Sequence, residues 1–398
     1  MAGRYAAPAL LASPLRPWQN GLWDWFVRSK TSLALSMAPN MTSSRTAVPI
    51  NHGGAIDAAA RKYGIPAEEW LDLSTGINPC PYQVDDIPAI QWQRLPLASE
   101  LAALGDAACA YYGIPDPAYL ACAPGTQALI QTIPFWIRDH VDVSAVHIMG
   151  PTYGEHARCW DRAGHICHIH ETAANARLDH AKRLLASAGP GTVIIIVNPN
   201  NPDGGLIPVK DICELSRLAR QADSWLIIDE AFMDCQPDQS ICSMIADLPH
   251  TMVLRSFGKF FGLAGIRLGC VVMAPDLVTS LSERIGPWAI PGPTMTIATR
   301  AFADTDWQQG TRQRLHADGL RLDREVTTKT SLALCGASDL FRYYDGGDCA
   351  ELADHLARRA ILVRLFDHDR AKIRFGFPGT SDDWQRLISA LDDWQDRS

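Results

Sequence analysis

No apolar run in this chain approaches the ~20 residues that a membrane-spanning helix needs. The longest candidates, such as Val193–Val197, have the length of a buried strand. No Lys/Arg-rich run occurs and the formal net charge is −8, which argues against a nucleic-acid or anionic-membrane partner. The eleven cysteines include no Cys-x-x-Cys pair and no repeating spacing. A disulfide framework or zinc ribbon would need that regularity, so reduced thiols in a cytoplasmic protein are expected. No Gly-x-Gly-x-x-Gly follows a strand-like run, which removes a dinucleotide site. A Walker loop fails as well, because Gly258-Lys259 is followed by Phe260 and Val253 stands where a glycine would be needed. Gly164-His-Ile-Cys-His-Ile-His170 alternates as a strand does and has no second cluster to complete it, so no metal site is expected. No internal repeat is present.

What is there is a chain of 398 residues, 47% hydrophobic and 20% charged, with 29 Gly and 26 Pro. That is ordinary globular composition, and its length suits two domains of ~100–200 residues or a large domain with a smaller one. Residues 1–48 carry five basic side chains (Arg4, Arg16, Arg28, Lys30, Arg45) against Asp24 alone, so the acidic balance belongs to the rest of the chain. This Ala-, Pro- and Ser-rich leader lacks an unbroken apolar segment and reads as a disordered or mis-started extension.

From about residue 50, short apolar runs alternate with helical stretches. Val193–Val197 is a β-branched run for a strand buried on both faces. Val209–Ala222 spaces Ile212, Leu215, Leu218 and Ala219 as a helix does. Trp225–Ile228 and Thr251–Leu254 are two more buried strands. The repetition predicts an α/β fold with a mostly parallel sheet covered by helices, whose binding groups gather at the strands' carboxyl ends. Those ends supply Asn198–Asn201, Asp229 and Ser256–Lys259. Pro287–Pro293 breaks the pattern and marks a boundary. Beyond it, Ala360–Phe366 and Lys372–Phe377 read as strands of a smaller α+β domain. The expected division is a large domain over 80–290 and a small one built from 49–79 plus 291–398.

An amide, an acid and an amine at neighbouring strand ends suit pyridoxal 5′-phosphate. That cofactor needs a lysine for its aldehyde, an acid for the pyridine nitrogen, a donor for the phenolate oxygen and a phosphate cradle. Lys259 supplies the amine, and Arg267, eight residues on, is placed to reach the phosphate as a bidentate donor. Ala123-Pro-Gly-Thr-Gln127 opens the helical run Ala128–Arg138, offering free N–H groups to an anion.

These residues resemble the fold-type I pyridoxal-phosphate enzymes of the class I/II aminotransferase group. The resemblance is carried by Asn198-Pro-Asn-Asn-Pro-Asp-Gly204, Asp229-Glu-Ala-Phe232, Ser256-Phe-Gly-Lys259 and Gly265-Ile-Arg267, and spans roughly 50–390. It implies that family's three-layer transferase fold and a homodimer. It makes Lys259 the cofactor lysine, Asp229 the partner of the pyridine nitrogen, Asn201 the donor to the phenolate oxygen and Tyr153 the ring-stacking aromatic. Gly125, Thr126, Gln127, Ser256 and Arg267 would complete the cofactor site. Arg374 would grip the substrate carboxylate.

Within the group, Asn51-His-Gly-Gly54 and Asp72-Leu-Ser-Thr-Gly-Ile-Asn-Pro79 are similar to the threonine-phosphate decarboxylase branch of cobalamin biosynthesis. The alternative branch is the histidinol-phosphate aminotransferases. The resemblance implies a phosphorylated amino-acid substrate held by His52, Gly76, Ile77, Asn78, Asn201, Arg364 and Arg374, and its decarboxylation to (R)-1-aminopropan-2-yl phosphate. Two departures stand out: Phe232 where many relatives have Tyr, and Leu95 where many have a Tyr that reaches the neighbouring subunit. The same residues serve decarboxylation and transamination, so the choice of a lyase rests on the resemblance.

Overall fold

The β-branched runs become strands because only extended backbone lets every second side chain reach one covering layer. The computed structural model of the protein describes residues 53–367 and 369–396; the expected leader over 1–48 and His52 lie outside them. A first short strand, β1 (Leu71–Asp72), precedes the central sheet. That sheet comprises β2 (Leu120–Ala123), β3 (Ala145–Gly150), β4 (Cys167–Glu171), β5 (Thr192–Val197), β6 (Trp225–Asp229), β7 (Thr251–Ser256) and β8 (Gly269–Val272). Its spatial order is β2-β8-β7-β6-β5-β3-β4. Strands β3 to β7 pair in parallel, and β8 alone runs against both of its neighbours.

Every residue of β5 is buried, as its unbroken apolar run requires. Ile194 and Ile196 pack on one side with Ala181, Leu185, Ile212 and Leu215. Val193 and Ile195 pack on the other with Leu129, Ile133 and Trp160. Two helical layers thus sandwich the sheet. The helix expected over Val209–Ala222 spans Val209–Gln221, and it turns Ser216 into the core while Leu218 stays half-buried. The run expected to be helical from Ala128 starts earlier, at Thr126, and its last turn tightens from Ile137 onward.

The C-terminal part folds a second sheet from β9 (Ala333–Ser338), β10 (Phe341–Asp345), β12 (Arg364–Leu365) and β13 (Lys372–Phe375), in the order β12-β13-β10-β9. The single strand expected over Ala360–Phe366 is broken at Val363. Its first half, β11 (Ile361–Leu362), pairs in parallel with β1, while β12 turns to pair with β13. Arg364 is the one polar residue of this run, and it falls in the half that turns to the second sheet; β12 is the less buried of the two strands. Among the described residues no helix is long and apolar enough to cross a membrane.

The histidine-rich run forms β4 at the open edge of the central sheet. Its His170 accepts or donates at both ring nitrogens, meeting His147 Nδ1 at 2.8 Å and His180 Nε2 at 2.9 Å. His147 also stacks on His168 with ring centres 5.0 Å apart. Burial first, then the neighbouring imidazoles, pushes His147 down to about 4 and lowers His170 as well. A histidine harder to protonate when folded binds fewer protons than in the unfolded chain, so stability falls as pH drops between about 6.5 and 4. The melting temperature is therefore expected to fall by a few degrees from pH 7 to pH 5, and His147→Gln to flatten that slope; calorimetric melts across this range check it.

Candidate active site

Three parallel strands deliver three functional groups to one place. Strand β5 ends in the turn Asn198–Asn201, β6 ends at Asp229, and β7 ends at Ser256 and runs into the single helical turn Phe257–Phe260 that carries Lys259. They meet Gly125, Thr126 and Gln127, at the start of the helix Thr126–Trp136, around a cavity of about 240 Å³. Tyr153, Phe232 and Arg267 also line it. All nine residues expected to bind the cofactor are thus gathered around one cavity.

Burial and the positive charges of Arg374 and Arg267 push the Lys259 amine down to about 8, against the pull of Asp229 and Asp72. An amine held so low is still mostly protonated at pH 7, but its neutral, nucleophilic fraction is about one-tenth, far above that of an ordinary lysine. Asp229 is almost fully buried: its Oδ2 meets His156 Nε2 at 2.9 Å, and its Oδ1 accepts from the Ala231 N–H at 3.1 Å. His156 was absent from the sequence reading. It stands three residues beyond Tyr153, in the first turn of the helix Glu155–Arg162, but its partner is 73 positions away and no linear motif joins them.

The glycine before the helix is there for closeness. Gly125 has φ +90°, and a Cβ on it would lie 2.3 Å from an Arg267 guanidinium nitrogen. Arg267 itself takes a left-handed φ of 55°, a strained choice for a side-chain-bearing residue that brings it back over the helix start. On the next strand a Cβ at Gly269 would come within 2.2 Å of the Thr126 backbone nitrogen. Backbone N–H groups, a helix start and a guanidinium therefore converge with no side chain between them, which is the geometry of a phosphate cradle. The Thr126 hydroxyl is turned away to the Arg255 carbonyl at 3.0 Å, and Gln127 is held by Glu155 at 2.9 Å and by the Tyr153 hydroxyl at 3.1 Å. These residues fit pyridoxal 5′-phosphate: a buried amine of lowered pKa, a buried acid with a histidine behind it, and an anion cradle.

Arg374 approaches from the second sheet. It donates to Asn201 Oδ1 at 2.6 Å and to the Ser74 carbonyl at 2.8 Å, while its buried Nε has no hydrogen-bond partner. Arg364 sits directly opposite Arg374 across the β12–β13 ladder. Burial, and then this facing cation, lowers the Arg374 pKa. Gly76, Ile77 and Asn78 do not line the cavity. Gly76 packs against Phe232 and Phe341, where a Cβ would come within 3.0 Å of both rings. The Asn78 side chain is buried and engaged by the protein itself, which corrects the expectation that it faces substrate. Phe232 lies with its ring centre 5.7 Å from the Lys259 amine, and Leu95 is 60% exposed and outside the cavity lining.

The family described as aminotransferase class I and II matches residues 93–391. The chain is 40% identical over 344 residues to a threonine-phosphate decarboxylase of Pseudomonas aeruginosa, covering 86% of this chain and 97% of that one. It is 35% identical over 354 residues to a threonine-phosphate decarboxylase of a Sinorhizobium species, covering 86% and 98%. Among solved structures, the histidinol-phosphate aminotransferase of Sinorhizobium meliloti in complex with pyridoxal-5′-phosphate shares the fold, with a TM-score of 0.71 at 20% identity, covering 92% of this chain and all of that one.

Adding a methyl group at Gly125 forces Arg267 off the helix start. Gly125→Ala is expected to weaken pyridoxal 5′-phosphate binding at least tenfold, read by absorbance titration, which corresponds to ~1.4 kcal/mol.

Proposed function

The chain belongs to the class I and II aminotransferase family, and from that membership we propose that it is a pyridoxal 5′-phosphate-dependent decarboxylase. Its substrate is L-threonine O-3-phosphate and its product 1-aminopropan-2-yl phosphate, a reaction that serves cobalamin biosynthesis. The observation that carries the reading is the pair of arginines, Arg364 and Arg374, facing each other across β12 and β13; neither lines the lysine cavity, but Arg374 donates to Asn201, which does. Two like charges in register on adjacent strands repel each other. An amino acid bearing both a carboxylate and a phosphate reverses that repulsion, and 40% identity to a threonine-phosphate decarboxylase over nearly its full length supports the same substrate. The reading goes with a large cofactor-binding domain over 80–290 and a small domain built from 49–79 plus 291–398.

In this reading Gly125, Thr126, Ser256 and Arg267 hold the cofactor phosphate, Asp229 the pyridine nitrogen, Asn201 the phenolate oxygen and Lys259 the aldehyde carbon, with Tyr153 against the ring. Bound there, pyridoxal 5′-phosphate supplies an electron sink for the bonding pair released at the substrate Cα. The chain's own residues decide which bond that is. Arg374 holds the carboxylate and Arg364 the phosphate, and two fixed anions leave the Cα substituents little freedom to turn. Asp229, backed by His156, keeps a proton at the pyridine nitrogen. Lys259 would hold the cofactor aldehyde and, as a free amine, would carry at Nζ the proton that Cα takes up once carbon dioxide has left. Phe232, which lines the cavity beside Lys259 and is backed by Phe341 at 5.2 Å, would keep water from the amine. No phenol stands at position 232, so Asn201 acts at the phenolate oxygen without a second donor.

The enzyme acts as a homodimer in the cytoplasm. Ile90, Trp92, Leu95, Leu97, Leu101 and Trp288 are each at least 45% exposed on the arm 90–101 and the turn at Pro287, an apolar surface of the kind a second copy covers. All eleven cysteines are free thiols, which suits a reducing compartment.

Purified protein with pyridoxal 5′-phosphate and L-threonine phosphate is expected to release carbon dioxide and aminopropanol phosphate. Glutamate formed from histidinol phosphate and 2-oxoglutarate, with no carbon dioxide from threonine phosphate, sinks the reading in favour of an aminotransferase. Arg364→Gln is expected to raise KM about 10–100-fold, the worth of one charge-assisted hydrogen bond, with kcat changed far less. Light scattering on the eluting peak is expected to give twice the chain mass, and Trp92→Asp to shift it toward the monomer.

A further inference from the structure

Lys259 sits on a helix of four residues, a length that cannot hold itself together. A single turn leaves its carboxyl-end carbonyls without intrahelical partners, and each must be satisfied from elsewhere. The carbonyls of Lys259, Phe260 and Phe261 all accept from one segment far away in sequence, and that of Lys259 also takes a longer local bond from the Gly262 N–H at 3.4 Å. The Asn78 N–H donates to the Lys259 carbonyl at 2.9 Å, Asn78 Nδ2 donates to the Phe260 carbonyl at 2.8 Å, and the Tyr82 N–H donates to the Phe261 carbonyl at 2.9 Å. The two strips of backbone are pressed together here: a Cβ on Gly262 would lie 2.7 Å from both the Asn78 carbonyl and Pro81 Cα.

The Asn78 amide is itself fixed. Its Oδ1 accepts from the Cys80 N–H at 3.0 Å and from the Arg314 guanidinium at 2.7 Å. Arg314 comes from the long helix Thr305–Lys329, where Asp318 holds its other nitrogen at 3.2 Å. Oxygen to Arg314 and nitrogen to Phe260 is the only orientation that satisfies both ends, since a flipped amide would point a donor at a cation. Asn78 is 1% exposed. The other end of the same segment is tied to the sheet of Arg374, through Arg374 to the Ser74 carbonyl at 2.8 Å and the Gly376 N–H to the Leu73 carbonyl at 2.7 Å.

We propose that Asn78, with its amide oriented by Arg314, is a positioning residue that clamps the Lys259 turn and so sets where the lysine amine stands relative to the substrate Cα. The proposal deepens the decarboxylase reading and rests on it for the choice of substrate. Asn78 touches neither cofactor nor substrate; it acts through the backbone of the residue that does. Its loss changes the placement of Nζ while leaving the arginines that bind substrate in position.

The test uses the full chain and the pair Asn78→Asp and Arg314→Gln. Asn78→Asp keeps size, the backbone bond to Lys259 and an oxygen for Arg314, and replaces the donor to Phe260 with a carboxylate oxygen that repels its carbonyl. Three measurements are made. Hydrogen exchange on the cofactor-free chain is expected to show amides of the segment 257–263 exchanging at least tenfold faster in both variants. The pH titration of the visible absorbance of lysine-bound pyridoxal 5′-phosphate is expected to shift its midpoint by half a unit or more. With threonine phosphate, kcat is expected to fall at least tenfold with KM within twofold of wild type. A rise in KM at unchanged kcat overturns the proposal by making Asn78 a substrate contact. A lowered melting temperature with unchanged exchange, midpoint and kcat overturns it by leaving only a scaffold role. If Asn78→Asp does not fold, Arg314→Gln decides by the same three readouts. The first two readouts need no substrate, so a wild-type protein inactive on threonine phosphate fails the decarboxylase reading while they still decide the clamp.

Discussion

The ends of β6 and β7 must lie side by side in a place closed to water, because one carries Asp229 and the other leads to Lys259. Arg255 secures this with a buried ion network. Its guanidinium donates to Glu230 at 2.7 Å, the residue beside Asp229, and to Asp234 at 2.9 Å. All three are 2% exposed or less, and Arg255 also lies over the Tyr112 ring at 4.4 Å. Glu230 is completed by Ser240 and by the Ile241 N–H, so its buried oxygens are not left short. The Arg255 carbonyl meanwhile accepts from Thr126, at the start of the cradle helix. One residue therefore ties together the acid's strand, the lysine's strand and the anion-binding turn. Removing one partner of such a buried network leaves an uncompensated charge at a cost of ~3–5 kcal/mol, which binds the integrity of the site to the stability of the sheet.

The site's own charges work the other way. Lys259, Arg267, Arg364 and Arg374 approach one another within a chain of net negative charge, and the Lys259 and Arg374 pKa values are lowered in part by neighbouring cations. Asp72, Asp229 and Asp367 offset this cluster in part, and arriving anions offset it further, so the site gains stability on binding. The glycines at 125 and 269 belong to the same arrangement, since each admits a backbone or guanidinium group that any larger residue would exclude.

Much of this was legible in the linear chain, and for identifiable reasons. Runs such as Val193–Val197 can only be strands buried on both faces, and residues at their carboxyl ends must face the same edge, so Asn201, Asp229 and Lys259 could be brought together before any coordinates. The glycine-opened helix at Gly125 and the returning Arg267 were readable because a phosphate needs N–H groups and a fork of donors. What escaped was whatever depends on a distant partner or on an ambiguous run. His156 acquires meaning only against Asp229, and Arg255 only against Glu230 and Asp234. The break at Val363 that sends β11 and β12 to different sheets is marked only by Arg364, whose partner strands lie elsewhere in the chain. Asn78, expected to face substrate, caps the lysine turn, because the orphan carbonyls it satisfies exist only once that turn is too short to satisfy its own.

The amino-acid order by itself therefore determined the sheet, the chemistry assembled at its edge and the class of cofactor that chemistry serves, since periodicity and strand-end position are local properties. The tertiary structure alone decided how close the groups stand and what holds them there: Arg267 over Gly125, Arg364 against Arg374, His156 behind Asp229, and Asn78 beneath Lys259. Each is a contact between segments that sequence spacing does not relate, fixed by the packing of two sheets and by the need of every buried polar group for a partner.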